Sequence, residues 1–204
     1  MAKYQDYLMD NEEVVWEGKA QKFPLLDAAN KISLLLTWTI CAVGLILLVA
    51  VYMPYTSSRS IEGANIIITC VVVVSLVGIC GLRPIVDKKT LESKVTYVLT
   101  NYRALVIYGD TVNSMFIDKR TKCRLEMLDN NSGIIYIGSA CKISARKSRV
   151  NTLVGVKSKS GGQIDGLVFY NVADPAGVCE LYTPFSYELN GKTVTPKRQY
   201  VSAK

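Results

Sequence analysis

Two stretches of the chain carry no charged side chain, Ile32 to Ser58 and Gly63 to Leu82, and they limit what the rest can be. Such a run must be buried, either in a protein core or in lipid. The densest part of the first, Ile32 to Met53, spans about 33 Å as a helix at roughly 1.5 Å per residue, against about 30 Å for a bilayer's hydrocarbon core. The second, rich in Ile and Val (Ile66, Ile67, Ile68, Val71 to Val74), is about 20 residues long, enough for one crossing. The alternative is a pair of buried helices in a soluble protein, where two uncharged runs of this length are unusual. The reading is a transmembrane α-helical hairpin over residues 32–82.

Residues 1–31 form a segment ahead of the hairpin. It contains Asp6, Asp10, Glu12, Glu13 and Glu17, where a signal peptide would have a short basic leader. Lys19, Lys22 and Lys31 precede the first run, Arg83, Lys88, Lys89 and Lys94 follow the second, and only Arg59 lies between. By the positive-inside rule both ends are cytoplasmic and the Pro54 to Glu62 loop is outside, a multi-pass protein of the cell membrane. Neither run contains the ionisable residue that usually marks an ion or proton path. Asn65, Thr69 and Ser75 can hydrogen-bond to another helix and Gly78 and Gly81 permit close approach, whether within the hairpin, to lipid or to a homo- or hetero-oligomeric partner.

The chain has no histidine, which removes imidazole catalysis and His-bound zinc. There is no phosphate-binding glycine loop and no Gly-x-Ser-x-Gly; Gly161 to Gly166 lacks a following helix and reads as a hairpin turn. Cys41, Cys70 and Cys80 fall in the uncharged runs, and Cys123, Cys141 and Cys179 in the part expected to be cytoplasmic, where thiols stay reduced. No cysteine pair has the two-residue spacing of a zinc or redox motif. The reading is therefore not an enzyme, with no cofactor and no metal.

After Arg83 the hydrophobic period changes from helix to strand. Seven short apolar runs recur between turn residues: Val95 to Thr100, Ala104 to Tyr108, Val112 to Ile117, Arg124 to Leu128, Ile134 to Gly138, Thr152 to Lys157 and Gly166 to Val172. Asp174-Pro175, an N-cap followed by proline, starts a helix that Pro184 should stop. The expected product over residues 83–189 is a mainly-β domain, a seven-stranded barrel or sandwich closed by a C-terminal helix, followed by a basic tail over 190–204. Its predicted core includes Tyr97, Leu99, Leu105, Ile107, Phe116, Leu125, Met127, Ile135, Ile137, Leu167, Phe169 and Leu181.

Two motifs carry a resemblance. Glu12-Glu13-Val14-Val15-Trp16-Glu17-Gly18 and Thr96-Tyr97-Val98-Leu99-Thr100-Asn101-Tyr102-Arg103 flank the hairpin, and in this order the chain resembles bacterial membrane proteins with pleckstrin-homology-like (PH-like) domains. The likeness covers roughly residues 10–183 and implies a bacterial inner-membrane protein with a PH-like domain that serves as a binding or scaffold module. Physically, Trp16 is expected to pack its ring on the domain with its N–H near the headgroups. Arg103, after a tight turn, is expected to pair with a carboxylate or carbonyl oxygens.

Charge supplies the functional hint. Of 24 Lys and Arg against 17 Asp and Glu in the chain, residues 86–204 hold 18 against 10. Lys142, Arg146, Lys147, Arg149, Lys157 and Lys159 occur with no acidic residue between Asp129 and Asp165. Such a segment suits an anionic membrane surface or an acidic protein partner; the bland alternative is a loop kept basic for solubility. Nucleic acid is not expected, because no aromatic residue falls between Lys142 and Lys159 to stack on bases. The reading is a non-enzymatic, membrane-anchored module that docks a protein, a peptide or an anionic membrane surface. The alternative is an accessory subunit of a membrane protein complex held through its hairpin.

Overall fold

The computed structural model describes residues 5–27, 30–59, 63–118, 120–128, 131–158, 162–181, 187–189 and 192–194. They divide into two compact units, one of residues 24–88, the other of residues up to 23 together with those from 89 onward.

In the first unit, Lys31–Leu47 (α1) continues through a π-helical stretch, Leu48–Tyr52, into Met53–Ser58 (α2). The wider turn stands just ahead of Pro54, whose ring and missing N–H a regular α ladder does not accommodate. Pro54 to Ser58, expected as loop, is therefore helical; residues 60–62 of that loop lie outside the described residues. The next helix is Gly63–Lys94 (α3), of which residues 63–88 belong to this unit. The Tyr52 hydroxyl donates to Thr69 Oγ1 at 3.0 Å and the Trp38 indole N–H donates to the Gly81 carbonyl at 3.3 Å, so Thr69 and Gly81 serve inside the hairpin.

Two helices here are long and apolar enough to cross a membrane, Lys31–Ser58 and Asn65–Lys94. Within the chain they are uncovered: Leu34, Leu48 and Thr56 are the buried residues of the first, and the apolar window of the second has none. A core helix of a soluble protein would be mostly covered by its own chain.

The second unit is a β unit of two sheets. Val14–Gly18 (β1), Val95–Thr100 (β2), Arg103–Tyr108 (β3) and Thr111–Phe116 (β4) form an antiparallel sheet in the order β1-β2-β3-β4. Cys123–Met127 (β5), Ser132–Gly138 (β6), Val156–Lys157 (β7), Ile164–Ala173 (β8), Tyr187–Leu189 (β9) and Lys192–Val194 (β10) form the other, ordered β10-β9-β5-β6-β8-β7. Its pairs are antiparallel except β5 with β9. Ser148–Val154 (α4) precedes β7, and Pro175–Leu181 (α5) follows β8 where Asp174-Pro175 predicts it.

Helices plus a β domain are thus as expected, but the strand plan differs from a seven-stranded closed barrel or sandwich. Six of the seven apolar runs fall on β2 to β6 and β8. The remaining one, Thr152 to Lys157, is helical to Val154, and only Val156–Lys157 pairs as strand. Burial of Arg149 and Thr152 on one helical face outweighs the β-branched composition, and Gly155, at φ 70°, ends the helix. The segment before the hairpin is not separate: it supplies β1, which pairs with β2 in the register Trp16↔Leu99 and Gly18↔Tyr97. Lys192–Val194 of the expected tail is a strand, β10.

Buried side chains line both faces of the β1-β2-β3-β4 sheet: Tyr97 and Leu99 lie on the face toward β8, and Val98, Leu105 and Ile107 cluster on the opposite face. Tyr97, Leu99, Leu105, Ile107, Leu125, Ile135, Ile137, Leu167 and Phe169 are buried as predicted; Phe116, Met127 and Leu181 are exposed. Phe116 has the opposite parity to Asn113 and Met115, which face inward from β4. Met127 and Leu181 are terminal residues, and α5 buries Val178 and Cys179 instead. The Phe169 ring stacks on Tyr97 at 4.9 Å and on Trp16 at 6.1 Å between centroids. Trp16 also lies over Gly18, where a Cβ would stand 2.3 Å from its ring; this contact explains the Trp-x-Gly pattern.

The ladder between β6 and β8 is irregular between Gly133 and Ile135. There the buried Tyr97 hydroxyl accepts from the Tyr170 N–H and donates to the Tyr170 carbonyl, each at 3.1 Å; burial pushes its pKa up. Next to it Asn171, at φ 55°, accepts the Gln21 N–H at 2.9 Å and donates its side-chain amide to the Gln21 carbonyl at 2.8 Å.

The two flanking motifs clasp one another. Arg103 Nε and Nη2 donate to Glu12 Oε1 and Oε2, both at 2.8 Å, and Nη2 also donates to the Tyr7 carbonyl at 2.5 Å. Thr100 Oγ1 donates to Glu12 Oε1 at 2.6 Å and the Met9 N–H to Oε2 at 2.8 Å. Burial pushes the Glu12 carboxyl up, but the hydrogen bonds from Arg103, Thr100 and Met9 and the Arg103 charge outweigh it and hold the pKa at about 2. Both motifs hold β1 on the sheet, the structural role expected for Trp16 and Arg103.

Candidate functional site

The basic segment leaves β6 at Gly138, whose φ of 66° and lack of a side chain are both used: a Cβ would meet the Asp165 carbonyl at 2.4 Å. Gly166 makes matching room on β8, since a Cβ there would meet the Ala140 nitrogen at 2.4 Å. Ser139 Oγ donates to Asp165 Oδ1 at 2.5 Å. Two 3₁₀ turns, Ser139–Lys142 and Ala145–Lys147, then lead into α4. The Asn113 side chain donates to the Leu153 carbonyl at 2.9 Å and fixes the far end of α4 on β4. The segment is thus anchored along its length despite its irregular start.

Its cations divide in two. Arg149 is 4% exposed, with its guanidinium 4.7 Å from the Phe23 ring centroid and its Nε donating to the Tyr170 hydroxyl at 3.3 Å. It belongs to the core wall and does not form part of a docking surface. Lys142, Arg146, Lys147 and Lys157 are exposed, and none has a salt bridge among the described residues. Lys159 lies outside the described residues.

Sequence reasoning missed two exposed apolar residues of the same segment. Val150 and Val154 are 39% and 52% exposed, on the side of α4 away from the buried Ser148, Arg149 and Thr152. They follow Arg146 at successive spacings of four, so a helical reading of 146–154 would have placed the three on one stripe.

Arg124 braces the segment from β5. Its guanidinium lies 4.0 Å over the Tyr136 ring and donates from Nη2 to the Ile143 carbonyl at 2.6 Å. The Tyr136 hydroxyl donates to Glu126 Oε2 at 3.1 Å; burial and the Glu126 charge raise its pKa. A rigid frame presenting cations and two valines can attract and hold an anionic, partly apolar surface.

The structure also brings together what sequence spacing separated: Cys123 Sγ on β5 and Cys179 Sγ on α5 are 3.5 Å apart. The hydrogen bond between them, with burial, pushes the Cys123 thiol pKa up. No family model matches the chain, and no curated protein or solved structure matches it at a significant level.

Proposed function

We propose that the chain is a non-enzymatic, membrane-anchored binding module whose β unit docks an acidic surface through Lys142, Arg146, Lys147 and Lys157. The observation that carries this reading is four exposed cations without salt bridges among the described residues, on one braced segment in a stretch without a carboxylate between Asp129 and Asp165. Near an anionic leaflet such residues contribute about 1 kcal/mol each.

The uncovered apolar helices support a hairpin that crosses a membrane, which the resemblance of the flanking motifs makes a bacterial inner membrane. The β1–β2 ladder supports both ends lying on one side, since strands on opposite sides of a bilayer cannot pair; the flanking cations make that side cytoplasmic. The β1-β2-β3-β4 sheet, followed by β5, β6 and β8 and by α5, supports a PH-like plan in which the hairpin is inserted after the first strand.

The test uses the full chain in mild detergent, with an immobilised acidic polypeptide and with anionic vesicles. Salt-sensitive capture by either, lost when the four cations become Gln, is expected; capture unchanged by those substitutions overturns the reading. An impermeant thiol reagent should label a cysteine introduced at Ser57 in intact cells and leave one at Ser158 unlabelled; the reverse pattern overturns the topology.

A further inference from the structure

We infer that the occupant of the basic surface is the chain's own bilayer, and that α4 enters the leaflet with Val150 and Val154 while Lys142, Arg146, Lys147 and Lys157 meet the lipid phosphates. This rests on the docking function proposed above and adds its partner and its mode. The outward side of α4 is apolar where the outside of a short surface helix is ordinarily polar. Cations border it in sequence on both sides, Arg146 and Lys147 before and Lys157 after, which is the composition that holds a helix in the headgroup boundary. Long basic side chains can keep their charge at the phosphates while the valines sit deeper.

An acidic protein would match the cations but gives no reason for two uncovered valines among them; a leaflet matches both. Supply also favours lipid. β2 starts at the residue after Gly63–Lys94, so a chain anchored in lipid tethers its β unit to that bilayer by sequence. Contacts too weak to form from free solution are then populated through effective concentration.

The combined exposure of Val150 and Val154, 39% and 52%, is about that of one whole valine, and transfer of one valine changes an equilibrium by about tenfold. The experiment is hydrogen exchange on the full chain in nanodiscs of neutral or anionic phospholipid, followed on peptides covering α4. We expect protection over residues 146–157 with anionic lipid only, weakened by salt because the Debye length falls from about 8 Å at physiological strength to about 3 Å at 1 M. Val150→Ser with Val154→Ser should lower the docked population about tenfold, and Leu at both positions should raise it, without a change of charge. Protection lost on substituting the cations by Gln but unmoved by both valine pairs would overturn the leaflet insertion and leave the docking function standing. No protection with anionic lipid, together with cation-dependent capture of the acidic polypeptide, would assign the surface to a protein and overturn the inference. Protection and capture both indifferent to the cations would overturn the inference and the docking function together.

Discussion

Replacing Glu12 by Gln would leave the Arg103 guanidinium, 7% exposed, facing a neutral amide in place of the carboxylate it now holds through two 2.8 Å hydrogen bonds. Removing one partner of a buried pair costs about 3–5 kcal/mol, because the remaining charge stays desolvated without compensation. The acid titration gives an independent measure. A carboxyl at 4.5 in the unfolded chain and about 2 in the fold corresponds to about 3 kcal/mol at about 1.36 kcal/mol per unit. Since the folded value is depressed, this stability is fully present above pH 4.5 and is lost as pH falls toward 2. The assay is denaturant unfolding of the full chain in micelles, with Trp38 replaced by Phe so that Trp16, stacked on Phe169, reports on the β unit alone. E12Q should lower stability by about 3 kcal/mol at pH 7, with a smaller deficit at pH 3. A loss below about 1 kcal/mol, or a deficit independent of pH over that range, would refute the clasp as a source of stability.

Three further outcomes follow from the core of the β unit, each read by the same unfolding measurement. Tyr97→Phe should cost about 1–3 kcal/mol, because it strips a hydroxyl partner from both the N–H and the carbonyl of buried Tyr170. Gly18→Ala should cost about 1–3 kcal/mol by driving a Cβ into the Trp16 ring, and Trp16 emission should shift with it. Phe169→Ala should cost about 3–5 kcal/mol, since its fully buried ring carries both Tyr97 and Trp16.

Local pattern made much of this architecture legible. The absence of charge over Ile32 to Ser58 and Gly63 to Leu82 marks the two long helices, and short apolar runs between turn residues mark β2 to β6 and β8, of which β2, β3, β6 and β8 are buried on both faces. Arg103 was readable as a cation in need of an acceptor, but its partner, Glu12, lies across the whole hairpin in sequence. The strand character of Val14–Gly18 was hidden for the same reason: five residues make no periodic signal, and their partner is β2. Thr152 to Lys157 looks like strand by composition, yet burial of Arg149 and Thr152 winds it into helix as far as Val154. Arg149 shows the limit most plainly, since its charge reads as surface and only the distant rings of Phe23 and Tyr170 make a place for it inside.

The pairing of β1 with β2 also imposes an order of events on biosynthesis. The edge strand is made first, but its partner leaves the ribosome only after everything from residue 19 to residue 94 has been translated. Closing so long a loop is entropically costly and slow, unless the intervening helices are already fixed side by side in a bilayer, which brings their outer ends together beforehand. If the hairpin spans a bilayer as proposed above, integration would then act as the nucleation step of the sheet. On that topology, a chain that had threaded only one span would strand β1 and β2 on opposite faces and leave the rim of β2 bare. On the proposed topology, completion of the sheet would therefore report correct insertion.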